Sequence, residues 1–195
     1  MIELKNLTKK YDESTAVDSV NIKIENGDFC VLIGPSGCGK STTLKMINRL
    51  IEPTSGEIIT NGKDVRKQRP EILRRGIGYV IQSVGLFPHM SVRENISVVP
   101  KLLKWEPDKI NAQVDNLLDL VELGAEYGEK YPHQLSGGEA QRVGVARALA
   151  ADADILLMDE PFGALDPVTR ESLQKGLLRI QKKLKKTLVF VTHDI

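Results

Sequence analysis

Apolar residues at Ile2 and Leu4, and again at Val20, Ile22 and Ile24, alternate with polar ones at the two-residue period of half-buried strands. Glu57 to Thr60 runs into Asn61-Gly62, a strong turn signal, and together these pieces predict a small antiparallel sheet. Phe29 to Ile33, Ile155 to Met158 and Leu188 to Val191 are instead continuous apolar runs. That is the pattern of parallel strands covered on both faces, so they predict the central sheet of a larger core. Helical spacing fills the intervals. Leu44, Ile47 and Ile51 mark the buried side of a helix over Ser41 to Leu50, ended by Pro53, Thr54, Ser55 and Gly56. Ile110, Val114, Leu117, Leu118 and Val121 share one face further on. Another helix is expected to begin near Ser136, and Leu173, Leu177, Ile180 and Leu184 stripe one from Pro167 to Leu184.

These elements predict an α/β fold in one domain over residues 1–195. Residues 1–25 and 57–76 form its antiparallel β part, 26–56 and 151–195 its parallel core, and 83–150 an inserted helical part. A length of 195 residues with 41% hydrophobic content suits one substantial core and excludes two full domains. The chain closes on Thr192, His193, Asp194 and Ile195, directly after an apolar strand that a natural domain would cover, so further chain is expected.

Charge and cysteine usage narrow the setting. Lys plus Arg number 27 and Asp plus Glu 26, so no global field draws nucleic acid or acidic lipid. No apolar stretch reaches the roughly 18 residues of a membrane span, and Met1 to Lys10 lacks the apolar region of a signal peptide, which points to the cytosol. Cys30 and Cys38 suit neither a disulfide framework nor a zinc site, and Cys38 reads as a small loop filler.

Gly34-Pro35-Ser36-Gly37-Cys38-Gly39-Lys40-Ser41 has the spacing of a phosphate-binding loop and joins a strand to a helix, the context that motif requires. Its glycines let backbone N–H groups approach phosphate oxygens, and Lys40 supplies charge for the β- and γ-phosphates. Ser41 offers a hydroxyl to Mg²⁺, and Thr42 adds a contact near the α-phosphate. The expected core is therefore a P-loop NTPase, RecA-like in form. Ile155 to Met158 delivers Asp159 and Glu160 to the carboxyl end of a central strand, where open α/β sheets bind ligands. There Asp159 is expected to hold Mg²⁺ through water and Glu160 to act as general base on the attacking water. Ser136, with the N–H groups of Gly137 and Gly138 at a helix N-terminus, makes a second anion-binding device.

With Leu135-Ser136-Gly137-Gly138-Glu139 lying between these two motifs, the chain resembles the ATP-binding cassette ATPases over essentially its whole length. The resemblance implies ATP and Mg²⁺, and a dimer in which Ser136 to Glu139 grip the γ-phosphate of ATP held by a second copy's loop. Glu139 stands where Gln is more familiar. Gln82 matches the Q-loop, implied to reach Mg²⁺ and the attacking water, and His193 matches the switch histidine. Asp166, with Ala164 and Leu165, matches the D-loop across the dimer. Tyr11 is implied to stack on adenine with Val17 beside it. His89 and His133 read as structural.

The segment Ser83 to Met90 faces the membrane partner in this family, so Leu86 and Phe87 are expected to line a groove for a coupling helix. Pro161 to Asp166 is similar to bacterial importer subunits. Ile47 to Gly56, Gly78 to Gln82, Gly85 to Met90 and Val99 to Trp105 look like the osmoprotectant branch, which imports glycine betaine, choline or carnitine. Subunits of that branch often continue into a regulatory C-terminal region. Transmembrane permease subunits are the implied partners, with an extracytoplasmic substrate-binding protein reached through them, at the cytoplasmic face of the inner membrane. An amino-acid or polyamine importer is the alternative, because the ATPase never touches cargo.

Other classes fit poorly. Only about 95 residues separate loop and signature, too few for the long coiled coil of a chromosome-maintenance ATPase. A ribosome-associated cassette protein carries two heads, and a stand-alone P-loop kinase lacks the Ser-Gly-Gly block. With His193 two residues from the end, the 195-residue piece alone is expected to hydrolyse ATP weakly or not at all.

Overall fold

The computed structural model describes residues 1–81, 83–163 and 165–192. In chain order the strands are β1 (Ile2–Tyr11), β2 (Ser14–Ile24), β3 (Phe29–Ile33), β4 (Ser55–Thr60), β5 (Lys63–Asp64), β6 (Ile77–Val80), β7 (Ile155–Asp159) and β8 (Thr187–Thr192). The helices are α1 (Lys40–Ile47), α2 (Pro70–Arg75), α3 (Val92–Leu102), α4 (Pro107–Leu120), α5 (Gly137–Leu149) and α6 (Pro167–Leu184).

Two sheets organise the chain. One is antiparallel in the order β2-β1-β4-β5, with Ile2 opposite Ile24 on one side and Thr60 on the other. Its β4–β5 turn is Asn61-Gly62, both at positive φ (48 and 77), the left-handed pair that a two-residue hairpin of matching twist requires. The other sheet is parallel, in the order β3-β8-β7-β6.

Alternation explains why its central strands read as unbroken apolar runs. Ile155 and Leu157 of β7 pack with α1 and the antiparallel sheet around Leu44 and Ile47. Leu156 and Met158 face the opposite way, into the helical layer with Val143, Leu173 and Leu177. Both faces are covered, so neither parity can be polar. Among the described strands β3 lies outermost, with Cys30 and Leu32 packed inward and Val31 and Ile33 turned to the other face.

Within residues 57–76 only the first part is strand, and beyond Asp64 the chain turns into a 3-10 turn (Val65–Lys67) and then α2. The Asp64 carboxylate starts that turn by accepting from the Arg66 N–H, and Pro70 at the first position of α2 favours a helix start. Helix α1 stops at Ile47 instead of Leu50, because Arg49 adopts φ 49 and the N–H groups of Leu50 and Ile51 fold back onto the Lys45 carbonyl. Leu50 is consequently exposed. No helix among the described residues is long and apolar enough to cross a membrane.

Candidate functional site

Strand β3 ends at Ile33, and the loop over residues 34–39 carries the chain into α1, aimed by two glycines in the left-handed region, Gly37 (φ 83) and Gly39 (φ 92). Gly39 has a second constraint, since a Cβ there would run into the Ala16 carbonyl oxygen and lie 3.0 Å from a methyl of Val17. Val17, buried on β2, is therefore the floor under the loop. No side chain caps α1 at Gly39, which leaves its first N–H groups available to an anion. Pro35, Ser36, Gly37 and Cys38 are exposed, while Gly34, Ser41 and Thr42 are half-buried.

Lys40 is buried and folds over its own loop, donating to the carbonyls of Gly34 (2.7 Å) and Pro35 (2.8 Å), with the Cys38 Sγ at 3.7 Å. The Ser41 hydroxyl donates to Asp159 Oδ1 at 2.6 Å, joining α1 to the end of β7. Asp159 is buried. The next residue, Glu160, has φ 46, unusual for a non-glycine, and its N–H is tied to the Val191 carbonyl of β8 at 3.0 Å.

Mg²⁺ fits this pair. Among the described residues there is no cluster of three or more His, Cys, Asp or Glu, so an ion here would have a carboxylate and a hydroxyl plus water or phosphate oxygens. That is how Mg²⁺ is ordinarily bound, because it dehydrates reluctantly and keeps several non-protein ligands. Tyr79 brings a further buried polar atom toward the Asp159 carboxylate, from a strand position that pairs in register with Leu157. Burial, followed by the negative charge of Asp159, pushes its phenol well above the ordinary tyrosine range.

Tyr11 ends β1, is 43% exposed, and has the Lys9 ammonium 4.8 Å from its ring centroid. The β1–β2 hairpin thus carries both an exposed ring and the floor of the loop.

Ser136 begins α5 through a capping box. Its Oγ accepts from the Glu139 N–H at 3.3 Å, and its own N–H donates to Glu139 Oε2 at 2.7 Å. Gly138 lies against Thr169 and Gly137 near Leu165, so this helix tip packs on the start of α6. There Asp166 is the cap, its Oδ1 accepting from the Thr169 N–H at 3.1 Å, and the bonds to Thr169 hold its carboxyl below the usual range. No hydrogen bond among the described residues joins Ser136–Glu139 to the loop of the same chain. Gln82, Ala164 and His193, which sequence reasoning singled out, lie outside the described residues.

Phe87 is 41% exposed and lines a groove of ≈ 320 Å³ with Arg74, Gly78, Tyr79, Val98 and Arg147. Leu86 does not line it; its side chain turns into the helical core. Asn95 fixes this turn by accepting from the Phe87 N–H (2.8 Å) and donating to the carbonyls of Phe87, Met90 and Ser91. Arg147 of α5 donates to the carbonyls of Gly85 (2.7 Å) and Val84 (2.8 Å) and lies 5.8 Å from the Phe87 ring centroid.

Sequence reasoning missed Arg147, Tyr79 and Tyr127. Arg147 left a signal, a lone cation within the buried run Val143 to Leu149. Tyr79 and Tyr127 left none.

The ABC transporter family profile matches residues 17–163. The chain is 57% identical over 196 residues to the choline transport ATP-binding protein OpuBA of Bacillus subtilis, an alignment covering 100% of this chain and 51% of that protein. It is 56% identical to the glycine betaine/carnitine/choline transport ATP-binding protein OpuCA of the same organism, covering 100% of this chain and 52% of that one. The chain thus spans about half the length of the curated relatives it matches. Among solved structures, an ATP-binding cassette in a dimeric post-hydrolysis state bound to ADP and Pi superposes with a TM-score of 0.87 at 37% identity, over 100% of this chain and 88% of that one. By profile, sequence and superposition alike, the chain belongs to the ABC transporter family, and its α/β fold is that of a P-loop NTPase.

Proposed function

We propose that this chain is the ATP-binding and ATP-hydrolysing part of an importer for osmoprotectants such as glycine betaine, choline or carnitine, working as an ATP-dependent dimer. The observation that carries the ATPase reading is the 2.6 Å bond between Ser41 and Asp159 beneath an α1 N-terminus that no side chain caps. The two relatives at 57% and 56% identity, named for transport of choline and of glycine betaine, carnitine and choline, support the cargo.

In this reading Lys40 exchanges two neutral carbonyl acceptors for charged oxygens of the β- and γ-phosphates, which strengthens its hydrogen bonds. Ser41 and Asp159, with Gln82, are the groups that would hold Mg²⁺, which when bound neutralises charge on the phosphate oxygens. Glu160 orients the attacking water and accepts its proton. His193 donates to the γ-phosphate. Ser136 and the N–H groups of Gly137 and Gly138 close on the nucleotide of the second copy, whose D-loop Asp166 faces the same interface. ATP then acts as a shared ligand that favours the closed dimer, and hydrolysis releases it.

The groove at Phe87 is where a cytoplasmic helix of the permease docks, placing the subunit at the cytoplasmic face of the inner membrane with the substrate-binding protein on the far side. Tyr11→Ala is expected to weaken ATP affinity about fivefold to a hundredfold, the worth of one stacked base, with little change in turnover at saturation. A titration with a fluorescent ATP analogue checks it, and an unchanged affinity removes Tyr11 from the site.

The whole reading is tested on the full-length subunit purified from membranes with its partners. The permease and binding protein should copurify, and uptake of labelled choline or glycine betaine should depend on Glu160. Glu160-dependent uptake of amino acids or polyamines, without choline or betaine, would replace the cargo.

A further inference from the structure

An acidic residue at the third position of α5 poses an electrostatic problem for the proposed function, on which this inference rests. A carboxylate suits a helix N-terminus, but here it stands one turn from the hydroxyl that is to meet a phosphate. The structure holds it with a group from outside the motif. Tyr127, in the 3-10 turn Ala125–Glu129, donates its hydroxyl to Glu139 Oε1 at 2.6 Å, while the Ser136 N–H occupies Oε2 at 2.7 Å. Lys130 sits 3.6 Å from the Tyr127 ring centroid, putting a cation on the same side. Both carboxylate oxygens are therefore engaged, and the Ser136 Oγ accepts from the Glu139 N–H while keeping its own proton to donate.

We infer that Tyr127 is a positioning residue for the Ser136 helix tip: its hydroxyl anchors the Glu139 carboxylate so that it does not compete with phosphate for the Ser136 hydroxyl. Without that bond, Oε1 is released to other donors, and the Ser136 O–H is one within the same helix turn. The bond from Tyr127 is also the main reason the Glu139 carboxyl is held down at about 2, with the Ser136 N–H next. Glu139 is thus charged throughout the neutral range, and its placement matters. A neutral glutamine at 139 would not need the anchor.

The experiment uses the full-length subunit carrying Glu160→Gln, with ATP, and measures the dimer dissociation constant by analytical ultracentrifugation. Tyr127→Phe should weaken the ATP-dependent dimer about tenfold when Glu139 is present and leave it within about twofold when Glu139→Gln is present, so the second substitution rescues the first. Equal weakening in both backgrounds, or none in either, overturns the anchor and assigns Tyr127 to packing alone. A subunit that fails to dimerise with ATP in any background overturns the shared-nucleotide reading itself, and this inference with it. Melting temperatures of all four variants, expected within a few degrees of one another, separate a lost anchor from a misfolded turn.

Discussion

Glu160→Gln is expected to lower ATP turnover by about a hundredfold to ten-thousandfold, the usual contribution of a positioned general base, with ATP affinity held within about threefold. Glutamine keeps the size of the side chain and can still orient a water, but it takes no proton at neutral pH. The backbone should tolerate the change, because the bond from the residue 160 N–H to the Val191 carbonyl, at φ 46, is made by the main chain and glutamine keeps it. A left-handed non-glycine of this kind costs on the order of 1 to 3 kcal/mol and persists where the surroundings over-determine it, here between β7 and β8. Phosphate release from the full-length subunit, measured at saturating ATP, checks the prediction. Turnover within about threefold of the parent would remove Glu160 from the chemistry and leave the proton to another group.

The second large effect belongs to Lys40. Lys40→Ala is expected to weaken ATP binding about a hundredfold to ten-thousandfold, as two charge-assisted hydrogen bonds to phosphate are each worth about 1.5 to 3 kcal/mol. Folding should survive. The carbonyls of Gly34 and Pro35 that Lys40 now satisfies lie in an open loop where water can replace it, and alanine is the best helix former at the start of α1. The two variants therefore separate: Lys40→Ala loses affinity with its melting temperature kept, while Glu160→Gln keeps affinity and loses turnover. Calorimetric titration of ATP beside a thermal melt distinguishes them. A collapse of the melting temperature in Lys40→Ala would make the lysine a structural brace of its loop.

Much of the fold is legible in the order of residues because its signals are short-ranged. Asn61-Gly62 makes a left-handed turn from two neighbours, and Leu173, Leu177 and Ile180 fall on one face of α6 whatever surrounds them. The run Ile155 to Met158 announces burial on both faces, and β7 has it because it lies between two neighbours. The equally apolar run Phe29 to Ile33 forms the parallel strand that leads into the loop over residues 34–39, pairing with β8. Leu86 and Phe87 are adjacent and similar in hydropathy, yet only Phe87 reaches the groove, because Asn95 and Arg147 hold the turn from α3 and α5.

By itself, the sequence determined the glycine-rich loop, the acidic strand end, the helix start near Ser136 and the layered α/β plan. Each rests on spacing within a few residues or on the periodicity of one element. Only the tertiary structure decided the partnerships across distance: Ser41 with Asp159, 118 residues apart; Arg147 with the carbonyls of Val84 and Gly85; Tyr79 beside the buried carboxylate; and Tyr127 on Glu139. Such pairs form where the packing of apolar faces brings elements together, and a polar side chain then takes whichever donor or acceptor that packing leaves within reach.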